Sequence, residues 1–180
     1  MNKTHHSADT LFARIRLLVL DVDGVLTRGE IIYDDRGGEW KIFNVKDGLG
    51  IALLSKLGIP TIFLSARNSP VLQKRAQDMK VVEVIGGILP KESLLESIEE
   101  KYRVPRDQIC FIGDDLIDLR MIERVGAGVA VADSPEMVKS AARYVTARKG
   151  GDGAVREIVD LIVRAQGLEE KLLEWLRNPK

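Results

Sequence analysis

Short, almost wholly apolar runs recur along this chain, and no other feature limits its possible folds as tightly. They occupy residues 17–22, 59–65, 81–85, 109–113, 129–132 and 144–146, each bounded by Gly, Asp or Ser. A strand that is apolar at every position has to be covered on both faces, which is the condition of a parallel sheet between helices. The intervening stretches supply those helices. Residues 49–57 carry apolar side chains at helical spacing and stop at Gly58, a C-terminal signal. Ser69-Pro70 reads as an N-cap followed by Pro at the first helical position, opening a helix to about residue 79. Residues 91–102 place Leu94, Leu95 and Ile98 on one face, and 116–125, 135–142 and 154–166 repeat the pattern.

One segment breaks this alternation. Residues 29–45 hold two β-prone runs around a polar turn at 34–38, a hairpin signal. Trp40 and Ile42 share one face of its second strand, and a lone hairpin is marginal in water, so that face is expected to pack on something. Near the end, Leu168, Leu172, Trp175 and Leu176 share a helical face that reads as docked. The expected fold is α/β: a Rossmann-like three-layer sandwich with a mainly parallel central sheet, a small β-hairpin insertion after the first strand and no large cap domain. A single domain is expected over residues 1–180, with about 1–14 disordered or peripheral and 150–180 forming a C-terminal tail and helices.

Composition narrows the function classes. With 27 Lys+Arg against 27 Asp+Glu the formal charge is zero, so no basic surface argues for nucleic acid or anionic lipid. At 45% hydrophobic and 30% charged, the chain is neither disordered nor rich in membrane-spanning runs. The lone cysteine, Cys110, cannot form an internal disulfide or a Cys-rich zinc site; inside an apolar strand it reads as core. The first residues, His5 and His6 among them, contain no apolar leader, and a cytoplasmic protein is expected.

In open parallel sheets, function gathers beyond the carboxyl ends of the strands. Those ends carry Asp21-Val22-Asp23-Gly24-Val25-Leu26-Thr27, Ser65-Ala66-Arg67, and Gly113-Asp114-Asp115 with Asp118 one turn on, while Lys91 opens the helix after the third strand. Each piece alone has a bland reading. Gly-Asp-Asp is a turn with an N-cap, Ser65 a turn residue, Lys91 a solvated charge, and Arg67 a cover for a neighbouring helix. An EF-hand is excluded because Val22, Val25 and Leu26 fill positions such a loop keeps for ligands. Together the groups fit phosphoryl transfer through a carboxylate. Clustered carboxylates repel unless a cation is present, and hard oxygen ligands suit Mg²⁺. Asp21, Asp114 and the backbone carbonyl of Asp23 are the expected ligands, with Asp115 and Asp118 behind them. Asp21 is the expected nucleophile and Asp23 the general acid/base. Ser65 and Lys91 are expected to bind the phosphate oxygens, and Gly24 permits the tight turn.

These motifs resemble the haloacid dehalogenase superfamily of aspartate-nucleophile phosphatases. Asp21 to Thr27 is similar to its first motif, Ser65 its second, Lys91 its third, and Asp114, Asp115 and Asp118 its fourth. The similarity is greater to the subgroup acting on 3-deoxy-D-manno-octulosonate 8-phosphate, over residues 15–166. It extends to the hairpin, to Phe43 and Asp47-Gly48-Leu49-Gly50-Ile51, to the run 129–133, and to Gly150-Gly151-Asp152-Gly153-Ala154-Val155-Arg156-Glu157. The resemblance implies Mg²⁺-dependent hydrolysis of an acidic sugar phosphate in lipopolysaccharide synthesis. It also implies a homotetramer assembled through the hairpins, in which a neighbour helps to close the site. The chain departs from the pattern in Ala66, where Gly is common, in Pro90 before Lys91, in Arg28, and in Asp152. Arg67 and Lys46 are assigned to the sugar-acid end, and Lys46 reads equally as an ordinary surface lysine. A related substrate, such as a nine-carbon ulosonate 9-phosphate, is the enzymatic alternative. A Mg²⁺-binding receiver or regulatory module is the non-enzymatic one; the run ending Ile85-Gly86-Gly87 lacks the phosphoacceptor Asp a receiver needs.

Overall fold

A computed structural model describes residues 8–178. The central sheet contains β1 (Leu17–Leu20), β4 (Thr61–Ser65), β5 (Glu83–Gly86), β6 (Ile109–Gly113), β7 (Ala127–Ala130) and β8 (Tyr144–Val145), in the order β5-β4-β1-β6-β7-β8. Every pairing in it is parallel. A separate antiparallel pair, β2 (Ile32–Tyr33) and β3 (Glu39–Trp40), forms the hairpin. The six apolar runs are thus the six strands of the main sheet.

Alternation of side chains along each strand divides the core in two. Leu18 and Leu20 of β1, Phe63 of β4 and Ile112 of β6 belong to one buried cluster. Leu17, Val19, Ile62, Leu64 and Phe111 belong to the other. Covering the first cluster are α1 (Ala8–Phe12), α2 (Val45–Lys56), α3 (Pro70–Asp78) and α7 (Ala154–Ala165), through Phe12, Ile51, Leu54, Leu72, Val155, Ile158 and Ile162. On the second lie α4 (Leu95–Tyr102), α5 (Leu119–Arg124) and α6 (Glu136–Ala141), through Leu95, Ile98, Met121, Ile122 and Val138. The result is a three-layer sandwich. A last helix, α8 (Glu169–Arg177), lays Leu172 against the first cluster, with Leu168 just ahead of it, while Lys56 sits 5.3 Å over the Trp175 ring. Leu176, assigned to the docked face, is 50% exposed.

Three local expectations change. Helix α2 begins at Val45 and not at residue 49, because Asn44 Oδ1 accepts from the Lys46 backbone N–H at 2.8 Å and caps it. Lys46, Asp47 and Gly48 give that first turn no apolar period to read, although Gly48 is buried against Arg75. Ser69 precedes α3 as expected but makes no side-chain capping bond. The N-terminal stretch expected to be peripheral includes α1, whose Phe12 is fully buried and meets Tyr144 edge-on at 5.5 Å. His5 and His6 lie outside the described residues. The expectation that the hairpin's apolar face packs on something is not met within one chain, where Trp40 is 62% and Ile42 70% exposed, and it passes to a partner surface.

The chain leaves β1 towards β4 on one side, and leaves β6 towards β7 on the other. Neighbouring strands whose connections diverge leave a crevice at their carboxyl ends. The loops after β1 and β6 therefore open into the same crevice.

Candidate active site

Asp21 is the first residue beyond β1, its N–H bonded to Ile112 O of β6 at 2.9 Å. Lys91 reaches it from the 3-10 turn that precedes α4. Its ammonium is fully buried, pairing with Asp21 Oδ1 and, at 2.6 Å, with Asp118 Oδ1. The other Asp118 oxygen accepts from the Asp114 backbone N–H at 3.0 Å, which orients the loop after β6. Asp21, Asp114 and Asp118 each present an oxygen within 4.8 Å of the others. Asp115, expected behind the ligands, caps the turn into α5 by accepting from Leu116 N–H at 2.7 Å.

Two glycine contacts make this geometry possible. Gly24 has φ +92°, and a Cβ there would sit 2.0 Å from Asp114 Oδ2. Gly150 lies under the same loop, where a Cβ would fall 1.6 Å from Gly24 O. The C-terminal glycine run is thereby a buttress for the β1 loop: Gly151 N–H bonds Val25 O at 2.9 Å, and Gly150 N–H bonds Asp133 Oδ1 at 3.0 Å. Asp47 secures the far side of that run by accepting from Gly153 and Arg156 N–H groups at 3.2 and 2.8 Å.

Burial pushes the Asp21 carboxyl up to about 6, against the pull of the Lys91 charge. Burial, reinforced by the Asp21 and Asp118 charges, raises Asp114 to about 8. Burial alone would lower the Lys91 ammonium, but Asp21 and Asp118 outweigh it and hold Lys91 above the ordinary lysine value. Crowded oxygen donors with raised pKa values are what a hard divalent cation relieves, so the residues present fit Mg²⁺. Asp21 and Asp114 would hold it, with the Asp23 carbonyl close in sequence.

A carboxyl whose folded pKa exceeds its unfolded one favours the fold below the unfolded value and loses that contribution as pH rises through the folded one. For Asp21 and Asp114 the loss runs from the ordinary 3.8 up to about 6 and about 8. A divalent cation needs ionised ligands and acts in the opposite sense. Mg²⁺ is accordingly expected to raise Tm more at about pH 8.5 than at about pH 5.5 in calorimetry. Equal shifts at both would remove these carboxylates from metal binding.

The other expected residues divide. Ser65, at the end of β4 and buried, accepts from the Arg67 N–H at 3.1 Å; Ala66 lies outside the left-handed region that would call for glycine. The Asp23 side chain is not in the three-carboxylate cluster and bonds instead to Lys41 of the hairpin segment. Arg67 Nη2 is 3.0 Å from Glu39 and donates to the Tyr33 hydroxyl at 2.8 Å, both on the hairpin. Lys46 is exposed and joins none of these groups. It lines an open cleft of about 630 Å³ with Arg148, Arg156 and Arg164, a cleft that none of the clustered carboxylates lines. Tyr33, Glu39 and Lys41 are not among the residues the sequence motifs single out. Their signal was available: Glu39 and Lys41 occupy the alternate positions to Trp40 and Ile42, and one face of a strand had to turn inward.

A family model described as haloacid dehalogenase-like hydrolase matches residues 61–158. The 3-deoxy-D-manno-octulosonate 8-phosphate phosphatase of Haemophilus influenzae is 41% identical over 153 residues, 85% of each chain. A cobalt-bound structure of the Haemophilus influenzae phosphatase superposes with a TM-score of 0.84 at 40% identity, covering 87% of this chain and 92% of that one. The Moraxella catarrhalis phosphatase, in complex with magnesium, phosphate and the sugar acid, gives a TM-score of 0.90 at 33% identity over 94% and 97%. Similarity of this extent, in fold and in sequence alike, settles the kinship: the chain belongs to the haloacid dehalogenase-like hydrolases.

Proposed function

We propose that the protein is a Mg²⁺-dependent phosphatase that converts 3-deoxy-D-manno-octulosonate 8-phosphate to the free sugar acid and phosphate. The observation that carries this is the Asp21 carboxylate at the sheet crevice, buried beside Lys91 and within 4.8 Å of Asp114 and Asp118 oxygens. Similarity to phosphatases named for that substrate supports it. Bound Mg²⁺ supplies positive charge that keeps the cluster ionised and offsets the charge of the phosphate. The free Asp21 oxygen attacks phosphorus; the Asp21–phosphorus bond forms as the bond to the sugar oxygen breaks. Asp23 gives its proton to the departing oxygen. It then takes one from the water that attacks phosphorus, releasing phosphate and restoring the Asp21 carboxylate. Ser65 and Lys91 hold the non-bridging oxygens, and Arg67 faces the sugar-acid carboxylate.

The same reading places the enzyme in the cytoplasm, in lipopolysaccharide biosynthesis, as a homotetramer joined through the hairpins. Supporting the assembly are the exposed apolar side chains Ile31, Tyr33, Trp40, Ile42 and Val45 in and beside the hairpin, which a partner surface would cover. Lys46 acts in this scheme across a subunit boundary.

Steady-state assays on a panel of phosphate monoesters, with and without Mg²⁺, test the assignment. kcat/KM for the octulosonate 8-phosphate is expected to exceed that for the nine-carbon 9-phosphate and for p-nitrophenyl phosphate by at least about tenfold. Equal values would leave a phosphatase without this substrate, and turnover in EDTA would refute the metal mechanism. Sedimentation velocity on the same sample is expected to report a tetramer; a monomer would remove the hairpin assembly.

A further inference from the structure

Strand β3 and the residues just after it turn their charges inward and their apolar side chains outward. Trp40 and Ile42 are exposed, while the Lys41 side chain is only 2% exposed and that of Glu39 15%. Burying an ammonium is unfavourable unless carboxylates compensate it. Lys41 meets two of them, bonding Asp23 Oδ1 and lying 3.5 Å from Glu39. Glu39 in turn holds Arg67 at 3.0 Å, and Arg67 donates to Tyr33. The chain of contacts therefore ties both hairpin strands to the loop after β1 and to the loop after β4.

The two aspartates of the first motif are held by different means. Asp21 is buried at the end of β1 with Lys91 beside it. Asp23 lies two residues farther along the loop, its side chain 25% exposed, and among the described residues its carboxylate takes its hydrogen bond from Lys41. A carboxylate on a loop has rotamer freedom, and displacement of about 1 Å can cost on the order of 100-fold in rate. A tether on one oxygen orients the other.

We propose that Lys41 is a positioning residue for Asp23: the hairpin ammonium holds one oxygen of that carboxylate so that the other meets the leaving-group oxygen, and Glu39 holds Lys41 in turn. This rests on the phosphatase reading and on the acid/base role of Asp23. It makes the hairpin part of the catalytic geometry as well as an outer face. The outward residues Trp40 and Ile42 are free to serve assembly because the alternate residues serve the site.

A kinetic double-mutant cycle with the Mg²⁺-loaded enzyme tests it, using Lys41→Met, Asp23→Asn and the pair together. Lys41→Met is expected to lower kcat about 10- to 100-fold while KM stays within about threefold. Lys41→Arg is expected to recover most of the loss. On the Asp23→Asn background, Lys41→Met is expected to cost less than about twofold more, because its partner is already gone. A crystal structure of Lys41→Met should show the Asp23 side chain in a changed rotamer. Tm and sedimentation of each variant identify any that misfold, and Lys41→Gln replaces Lys41→Met if that one does. A wild-type kcat in Lys41→Met would overturn the proposal. So would an equal further loss on the Asp23→Asn background, which would mean direct action on the substrate. Wild-type enzyme inactive on every phosphate ester would instead overturn the phosphatase reading itself.

Discussion

Asp21→Asn is expected to lower kcat by on the order of 10⁵-fold, the loss that follows removal of an enzymatic nucleophile. The amide has nearly the shape of the carboxylate, so the substitution tests charge and nucleophilicity with little change in packing. Asp21 is 4% exposed, and burial already opposes its ionised form. Removing the charge therefore relieves a desolvation cost, while Lys91 keeps its pair with Asp118 at 2.6 Å. The metal-free variant is expected to melt within a few degrees of the wild type or above it. Its Mg²⁺-induced rise in Tm is expected to shrink, because a proposed ligand is gone. Loss of turnover with Tm retained would fix Asp21 in the chemistry; residual activity above about 1% of wild type would exclude it as the nucleophile.

Lys91→Met has the opposite profile, with stability and activity falling together. Methionine fills a similar volume but leaves Asp21 and Asp118 facing each other without their shared cation. Breaking a buried ion pair by removing one partner costs about 3–5 kcal/mol. In a domain of this size that lowers Tm by on the order of 10 °C. The variant is also expected to lose at least about 100-fold in kcat, because the positive group proposed to hold the phosphate oxygens has gone. Added Mg²⁺ is expected to restore part of the stability, since it neutralises the same carboxylates, but not the rate. Calorimetry with and without Mg²⁺ separates the two effects. A Tm within about 2 °C of wild type would show that the buried lysine is not what holds the carboxylates together.

Much of the fold was legible because its signals are local. Each apolar run became a strand of the main sheet, and the four inner strands β4, β1, β6 and β7 are buried at every position, so they have no polar alternative to display. The ends of those strands brought Asp21, Ser65 and Asp114 to one edge, as parallel topology requires. Errors fell where local signals were weak or ambiguous. Gly48 conceals the first turn of α2, because an apolar-period reading has no symbol for a glycine buried under an arginine. Phe12 stood in a polar terminus and gave no period, yet it fills a gap beside Tyr144. The hairpin is legible too, but which of its faces turns towards the body of the protein is not. Alternation says that Trp40 and Ile42 share a face, not which face meets the body of the protein.

The layers of this molecule and the cluster of chemistry at one sheet edge follow from local sequence, because periods of 2 and 3.6 and the ends of parallel strands are properties of neighbouring residues. How those groups pair follows from long-range packing. Lys91 meets Asp21 and Asp118 across 70 and 27 residues, and Lys41 rather than Lys46 comes to the first motif. Both lysines are the same residue type within one short stretch. What separates them is which side of the hairpin junction turns towards the buried carboxylates, and that is set by long-range packing and the cost of leaving a buried charge unpaired.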